Sequence, residues 1–346
     1  MPAPAVNRWL LRAVLRLPTP ILRAFSGGAA AHRGGRTLDP RFQFLSHVAL
    51  PADGALPDSV EDARRMAAHG LALAAGDLEP GVRVEDLTID GPGGALTLRA
   101  YRPDRADPAA PLMVYAHSGG GVIGDLDSCH AACSILAAVT RSAVLSVDYR
   151  LAPEHRFPAG LEDTIAAWRW ARDHADRFGA KAGTAAVGGD SRGANFAAVL
   201  CQEMKRGGGP QPALQLLFYP PLDVASETAS MMTYGDGPFA SRARRSWLQD
   251  NYLGTQADPA DPRLSPGRST DLAGLAPAVI AAAGFDPLVD QGLDYAKALM
   301  AVGVDVTYRC YDSLPHGFAG FTGAVPAARD AVARAAHLVR DAYDRL

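Results

Sequence analysis

From residue 112 onward, short apolar runs alternate with amphipathic stretches, and that alternation leaves few folds open. Runs at 112–116, 144–147, 184–187, 214–218, 278–283 and 304–310 have the length of buried strands. Between and after them, residues 128–140, 161–174, 194–205, 292–302 and 327–345 carry helical spacing. Strands that alternate with helices predict a mainly parallel sheet covered on both faces, the α/β class. Two earlier strands, 82–89 and 96–100, flank the turn at 91–94 and are expected antiparallel at one edge, making eight strands. One interval breaks the rhythm. Residues 223–276 hold a single clear helical pattern, 241–252, among turn-rich stretches, and excursions of that length are usually lid-like. The expected layout of the 346 residues is an N-terminal extension with cap helices, 1–80, and a catalytic α/β domain, 81–346, interrupted by a cap insertion at about 223–276.

Composition removes several classes of partner. A net charge of −3 gives no global attraction to nucleic acid. No apolar run is long enough to span a membrane as a helix. The four cysteines (Cys129, Cys133, Cys201, Cys310) form no C-x-x-C pair, which favours buried thiols and a reducing, cytoplasmic setting. With no H-E-x-x-H, no metal is expected. Residues 1–38 contain six arginines and no acid. Arg8, Arg12 and Arg16 share one face of an amphipathic helix over 8–17, closed by Pro18 and Pro20. Arg12 and Arg16 interrupt the unbroken apolar run that a signal peptide needs. The preferred reading is a helix packed on the protein's own body, with 27–35 as a flexible link; peripheral contact of 8–17 with an anionic membrane is the alternative.

The chemistry concentrates at three strand ends. Gly189-Asp190-Ser191-Arg192-Gly193 fits G-x-S-x-G and lies where a short strand meets a helix, the context this motif requires. The glycines let neighbouring backbone pass, so that the Ser191 hydroxyl stands exposed beside a helix N-terminus. A hydroxyl is a weak nucleophile without a base, and the base needs an acid to orient it. Asp286, after the 278–283 strand, and His316, after the last strand, follow in the order Ser, Asp, His. Asp290 and Asp294 compete for the acid role but fall at or inside the next helix, and His337 is mid-helix. His117-Ser118-Gly119-Gly120-Gly121, directly after the 112–116 strand, can aim bare backbone N–H groups at a developing oxyanion, joined by the N–H of Arg192. A phosphate loop is excluded because neither G-x-G-x-x-G nor G-x-x-x-x-G-K is present.

Together these residues resemble the hormone-sensitive-lipase-like branch of the α/β-hydrolases, the bacterial family IV esterases. Residues 115–125 look like the family's H-G-G-G loop. Asp148-Tyr149-Arg150-Leu151-Ala152-Pro153-Glu154-His155 matches its D-Y-R-L-A-P-E-H segment, and Asp286-Pro287-Leu288 and His316-Gly317-Phe318 match its acid and base motifs. The resemblance implies an α/β-hydrolase fold with a helical cap. It also implies Ser191 as nucleophile, His316 as base, Asp286 as its orienter, and Gly119, Gly120 and Arg192 as oxyanion donors, with His117, Ser118 and Gly121 supporting the loop. It further implies a small-molecule ester of short or medium acyl chain as substrate, no cofactor, and a monomer or a homodimer joined through the last strand. A lipase, lactonase or amide hydrolase on the same triad, or a non-catalytic receptor, are the rivals. Four residues depart from the pattern: Ser118 for the first glycine, Gly121 for an aromatic, Arg192 for alanine and Ala194 for glycine. Ser118 must tolerate the loop's local φ, and Gly121 is expected to widen the acyl or alcohol pocket.

Overall fold

The computed structural model describes residues 8–49, 56–237, 239–254 and 257–346; residues 1–7 and 50–55 of the expected extension, and 238 and 255–256 of the expected insertion, lie outside it. In chain order, α1 (Arg8–Leu15), α2 (Thr19–Ala24), the small strands β1 (His32–Arg33) and β2 (Arg36–Thr37), α3 (Pro40–Ala49) and α4 (Val60–Ala74) precede the main sheet. The sheet and its helices follow as β3 (Val82–Gly91), β4 (Gly94–Pro103), β5 (Leu112–Ala116), α5 (His130–Thr140), β6 (Val144–Val147), α6 (Ala159–Asp173), β7 (Ala185–Asp190), α7 (Arg192–Arg206) and β8 (Gln215–Phe218). The remainder is α8 (Ala229–Tyr234), α9 (Arg242–Leu253), β9 (Ala278–Phe285), α10 (Val289–Ala301), β10 (Val306–Pro315) and α11 (Pro326–Tyr343).

The eight strands lie in the order β10-β9-β8-β7-β5-β6-β4-β3. β4 pairs antiparallel with both β3 and β6, and the other pairings are parallel, as expected. Strands such as Ala-Val-Ile-Ala-Ala-Ala-Gly-Phe in β9 are buried along their whole length, because helices cover both faces. Trp168 of α6, Phe196 of α7 and Leu299 of α10 fill one side; Leu136 of α5, Val339 of α11 and Phe42 of α3 fill the other. Register then decides where the chemistry falls. Ala116 of β5 pairs with Gly189 of β7, Asp190 with Phe218 of β8, and Phe285 of β9 with Pro315 of β10. The residues next after these strand ends, at 117, 191, 219, 286 and 316, therefore share one edge of the sheet.

The N-terminal region departs from expectation. The 27–35 link contains β1, paired with β2, and α2 and α3 add helices that the spacing did not announce. These elements are fixed by distant groups rather than by local pattern. The Asp39 N–H donates to the Ser313 carbonyl (2.9 Å), and the Arg36 Nε donates to Asp312 (2.9 Å). α1 packs on the body through buried Leu15, while Arg8 and Arg12 donate to the Ala75 carbonyl at 2.6 and 2.8 Å.

Candidate active site

Ser191 holds the turn between β7 and α7 at φ 52, ψ −116, a conformation costing a non-glycine residue about 1–3 kcal/mol. Its neighbours explain how the turn persists. A Cβ on Gly193 would overlap the Ala116 carbonyl oxygen, and one on Gly189 would stand 2.6 Å from the same atom. Only glycine lets α7 begin this close to β5. The His316 Nε2 lies 2.9 Å from the Ser191 Oγ, and its Nδ1 lies 2.8 Å from the Asp286 Oδ2. Asp286 is fully buried, and its second oxygen accepts the Leu288 N–H at 2.9 Å. The three residues expected together are thus brought together. Their rivals are elsewhere: Asp290 accepts the Ser230 N–H, Asp294 pairs with Lys297, and His337 is exposed on α11.

The glycine loop faces this trio. Gly119, Gly120 and Gly121 all have positive φ (116°, 69° and 81°). Among the described residues, the N–H groups of Gly119 and Gly120 donate to no backbone carbonyl. Arg192, as the first residue of α7, has an N–H without an intrahelical acceptor. Such free donors beside a hydroxyl–imidazole pair can receive an oxyanion. The Ser118 departure costs no strain, since its φ is not positive; its hydroxyl helps hold the carboxylate of Asp190. Burial nevertheless raises the Asp190 pKa, against hydrogen bonds from Tyr219 (2.9 Å), Ser118 and Tyr115 (3.1 Å).

The expected effect of Gly121 is overturned. A Cβ there would sit 2.5 Å from the ring of Tyr252 in α9, so that ring occupies space beside the glycine. Gly121 makes room for the inserted segment and does not open the pocket. Gly120 is similarly close to Leu248 of α9, at 3.0 Å from a Cβ. The Arg192 side chain is buried too. Its guanidinium lies 4.6 Å from the Tyr252 ring centre and reaches Asn195 at 3.3 Å, and burial lowers its pKa.

Three supports escaped sequence reasoning. Tyr219 follows β8, donates to Asp190 and packs its ring, tilted by 58°, 4.9 Å from the His316 ring centre. Its place directly after a strand was the available signal. Arg64 of α4 donates to the carbonyls of Val122 (2.9 Å) and Ala152 (2.9 Å) and pairs with Glu154, tying the glycine loop to the 148–155 segment. Tyr149 stacks on His117 at 4.2 Å and donates to its carbonyl at 2.9 Å.

His117 supplies a pH test. Its pKa is lowered from 6.5 to about 4, chiefly because burial strips water from the imidazolium. Between those values the unfolded chain binds the extra proton, so this contribution to stability is complete above 6.5 and drains away as pH falls towards 4. The loss amounts to about 3 kcal/mol. Denaturant unfolding across that range is expected to show it, and His117→Asn should flatten the slope.

Fold and site together define the α/β class of serine-type hydrolases, and comparison with known proteins agrees. A family model described as the alpha/beta hydrolase fold matches residues 113–320. The carboxylic ester hydrolase LipN of Mycobacterium tuberculosis is 45% identical over 313 residues, covering 87% of this chain and 82% of LipN. The ethyl acetate hydrolase of Pseudomonas putida is 36% identical over 262 residues, covering 75% of this chain and 82% of that enzyme. A hyperthermophilic esterase from the archaeon Pyrobaculum calidifontis has a TM-score of 0.80 at 34% identity, covering 88% of this chain and 98% of that one. The chain belongs to the α/β-hydrolase family, in its hormone-sensitive-lipase-like branch, and is a carboxylic ester hydrolase.

Proposed function

We propose that the protein cleaves short- to medium-chain acyl esters of small molecules through an acyl-enzyme on Ser191. The observation that carries this reading is the unbroken contact from Ser191 through His316 to Asp286, beside free loop amides. Ser191 Oγ attacks the ester carbonyl as His316 Nε2 takes its proton. The oxyanion rests on the N–H groups of Gly119, Gly120 and Arg192. His316 then protonates the leaving alcohol, and water repeats the attack on the acyl-enzyme. Asp286 stays ionised and holds the imidazole in the required tautomer. No step calls on a metal or organic cofactor.

The preference for short acyl groups follows from space. The gap beside His316, lined by Tyr234, Phe239, Phe285, Pro287 and Pro315, is narrow: about 10 Å³, room for about one water molecule. Leu248 and Tyr252 crowd the glycine loop. In this reading residues 1–80 and 223–276 form the cap over a catalytic domain of 81–346. The enzyme works in the cytoplasm, as a monomer or as a dimer through β10. Among the described residues no helix is long and apolar enough to cross a membrane.

A series of p-nitrophenyl esters from acetate to palmitate tests the reading. Activity is expected to peak at acetate to hexanoate and to fall steeply beyond octanoate. A maximum at palmitate would make the enzyme a lipase, and faster turnover of lactones or anilides would move it to those classes.

A further inference from the structure

One ring of the inserted segment meets two of the four departures from the family pattern, Gly121 and Arg192. Tyr252 of α9 is 1% exposed. Its Cδ2 and Cε2 stand 2.5 Å from where a Gly121 Cβ would be, so the edge of the ring takes the place of a side chain at 121. The Arg192 guanidinium lies over the face of the same ring, 4.6 Å from its centre. Gly121 belongs to the loop that carries the Gly119 and Gly120 N–H groups, and Arg192 carries the third proposed donor on its own backbone. The ring therefore bridges the two parts of the chain from which the proposed donors come.

The guanidinium is placed at a cost. Arg192 is 6% exposed; among the described residues no carboxylate pairs with it, and its Nε has no hydrogen-bond partner. A buried cation persists only where other groups face it. Here they are the Tyr252 ring and the Asn195 Oδ1, which accepts from the Arg192 Nη1 at 3.3 Å. The Asn195 Nδ2 in turn donates to the carbonyls of Pro221 (2.8 Å) and Leu264 (3.0 Å), which lie just before the 223–276 segment and within it. The first turn of α7 thus grips the insertion at three points. Tyr252 is held from its own side as well: its carbonyl accepts the Phe157 N–H at 3.1 Å, and the Phe157 ring packs 6.0 Å from its own. Its hydroxyl has no partner among the described residues, so what the neighbours engage is the ring.

We propose that Tyr252 and the Arg192 side chain are positioning residues for the oxyanion: the ring sets the spacing between the glycine loop and the start of α7, and the guanidinium holds the ring there. The inference rests on the reading in which the N–H groups of Gly119, Gly120 and Arg192 receive the oxyanion. Neither side chain reacts. Each acts through the backbone it fixes, and a misplacement of about 1 Å at a reacting centre can cost about 10² in rate.

The test compares the parent with Tyr252→Leu, Arg192→Met and the double variant, in which leucine and methionine keep most of the packing volume. It reads kcat and KM on a soluble acetate ester and the affinity of a short alkyl trifluoromethyl ketone. The ketone reports on the donors directly: the Ser191 Oγ bonds to its carbonyl carbon, the hydroxyl proton passes to the His316 Nε2, and the ketone oxygen becomes the oxyanion. Tyr252→Leu is expected to lower kcat by about 10² and Arg192→Met by about tenfold, with KM within about threefold of the parent. Ketone affinity should fall in step with kcat/KM. Because the two side chains act as a unit, the double variant should lie within about threefold of Tyr252→Leu alone. Conservative replacement should rescue: Arg192→Lys keeps a cation over the ring and Tyr252→Phe keeps the ring, and each is expected within about fourfold of the parent kcat. Thermal unfolding checks that each variant folds; should Tyr252→Leu not fold, Arg192→Met against Arg192→Lys carries the same test. A rise in KM at constant kcat would make the ring a pocket wall, and losses that simply add would separate the two residues; either overturns the proposal. So would a ketone affinity that holds while kcat falls. A parent that binds no ketone would overturn the catalytic reading itself, and this inference with it.

Discussion

Ser191→Ala is expected to lower kcat by about six orders of magnitude while KM moves only severalfold. The reasoning is geometric. The His316 Nε2 has the Ser191 Oγ as its partner at 2.9 Å, and without that oxygen the base has nothing to activate. Every group other than the Ser191 hydroxyl is unchanged, so binding is expected to survive. The variant should also fold, because alanine at φ 52 carries much the same strain as serine. Single-turnover assays, thermal unfolding and labelling by an organophosphonate separate the possibilities. Loss of turnover and of label at an unchanged Tm supports the assignment. Residual esterase activity above a few per cent with an intact fold would mean that another residue is the nucleophile.

Gly119→Ala is expected to have the next largest effect, although no reacting side chain changes. At φ 116 a Cβ would overlap the Ile123 carbonyl oxygen, which belongs to rigid backbone. The turn is closed by the N–H groups of Val122 and Ile123 donating to the Gly119 carbonyl, both at 3.0 Å, so the loop cannot rotate locally. It must shift as a unit and take the Gly119 and Gly120 donors with it. Losing one donor typically costs about 10²–10³ in kcat, so a fall of about 10³ or more is expected here. The acyl-enzyme should form slowly but still form, because Ser191, His316 and Asp286 are untouched. Pre-steady-state kinetics with a chromogenic acetate would show this as a slowed burst. A kcat within tenfold of the parent would show that the oxyanion rests elsewhere.

How far these features were legible in the chain depended on the range of the interactions that create them. The sheet could be read because its inner strands, such as Leu112–Ala116 and Ala278–Phe285, are short apolar runs that burial on both faces keeps pure. Ser191, Asp286 and His316 could be read because each follows such a run directly. α2, α3 and the β1–β2 hairpin could not. They are short, and what fixes them is far away in sequence: Ser313 for Asp39, Asp312 for Arg36. Arg64 lies 58 residues from the carbonyl of Val122 and 90 from Glu154, and no local period reveals such a strut. Gly121 shows the same limit from the other side. Its missing side chain read as an opening, whereas the space belongs to Tyr252, 131 residues later in the numbering of the chain.

The contacts of Gly120 with Leu248 and of Gly121 with Tyr252 bear on how such enzymes can be re-engineered. Exchanging the 223–276 segment between relatives looks like a modular way to move substrate preference. In this protein the segment leans on the same backbone that presents the proposed oxyanion donors, and Arg64 braces that backbone from the N-terminal side. A graft that alters selectivity alone would therefore have to carry residues 248 and 252 with their glycine seats as one inherited unit. Grafts that separate them would slow every ester alike, whatever its acyl chain.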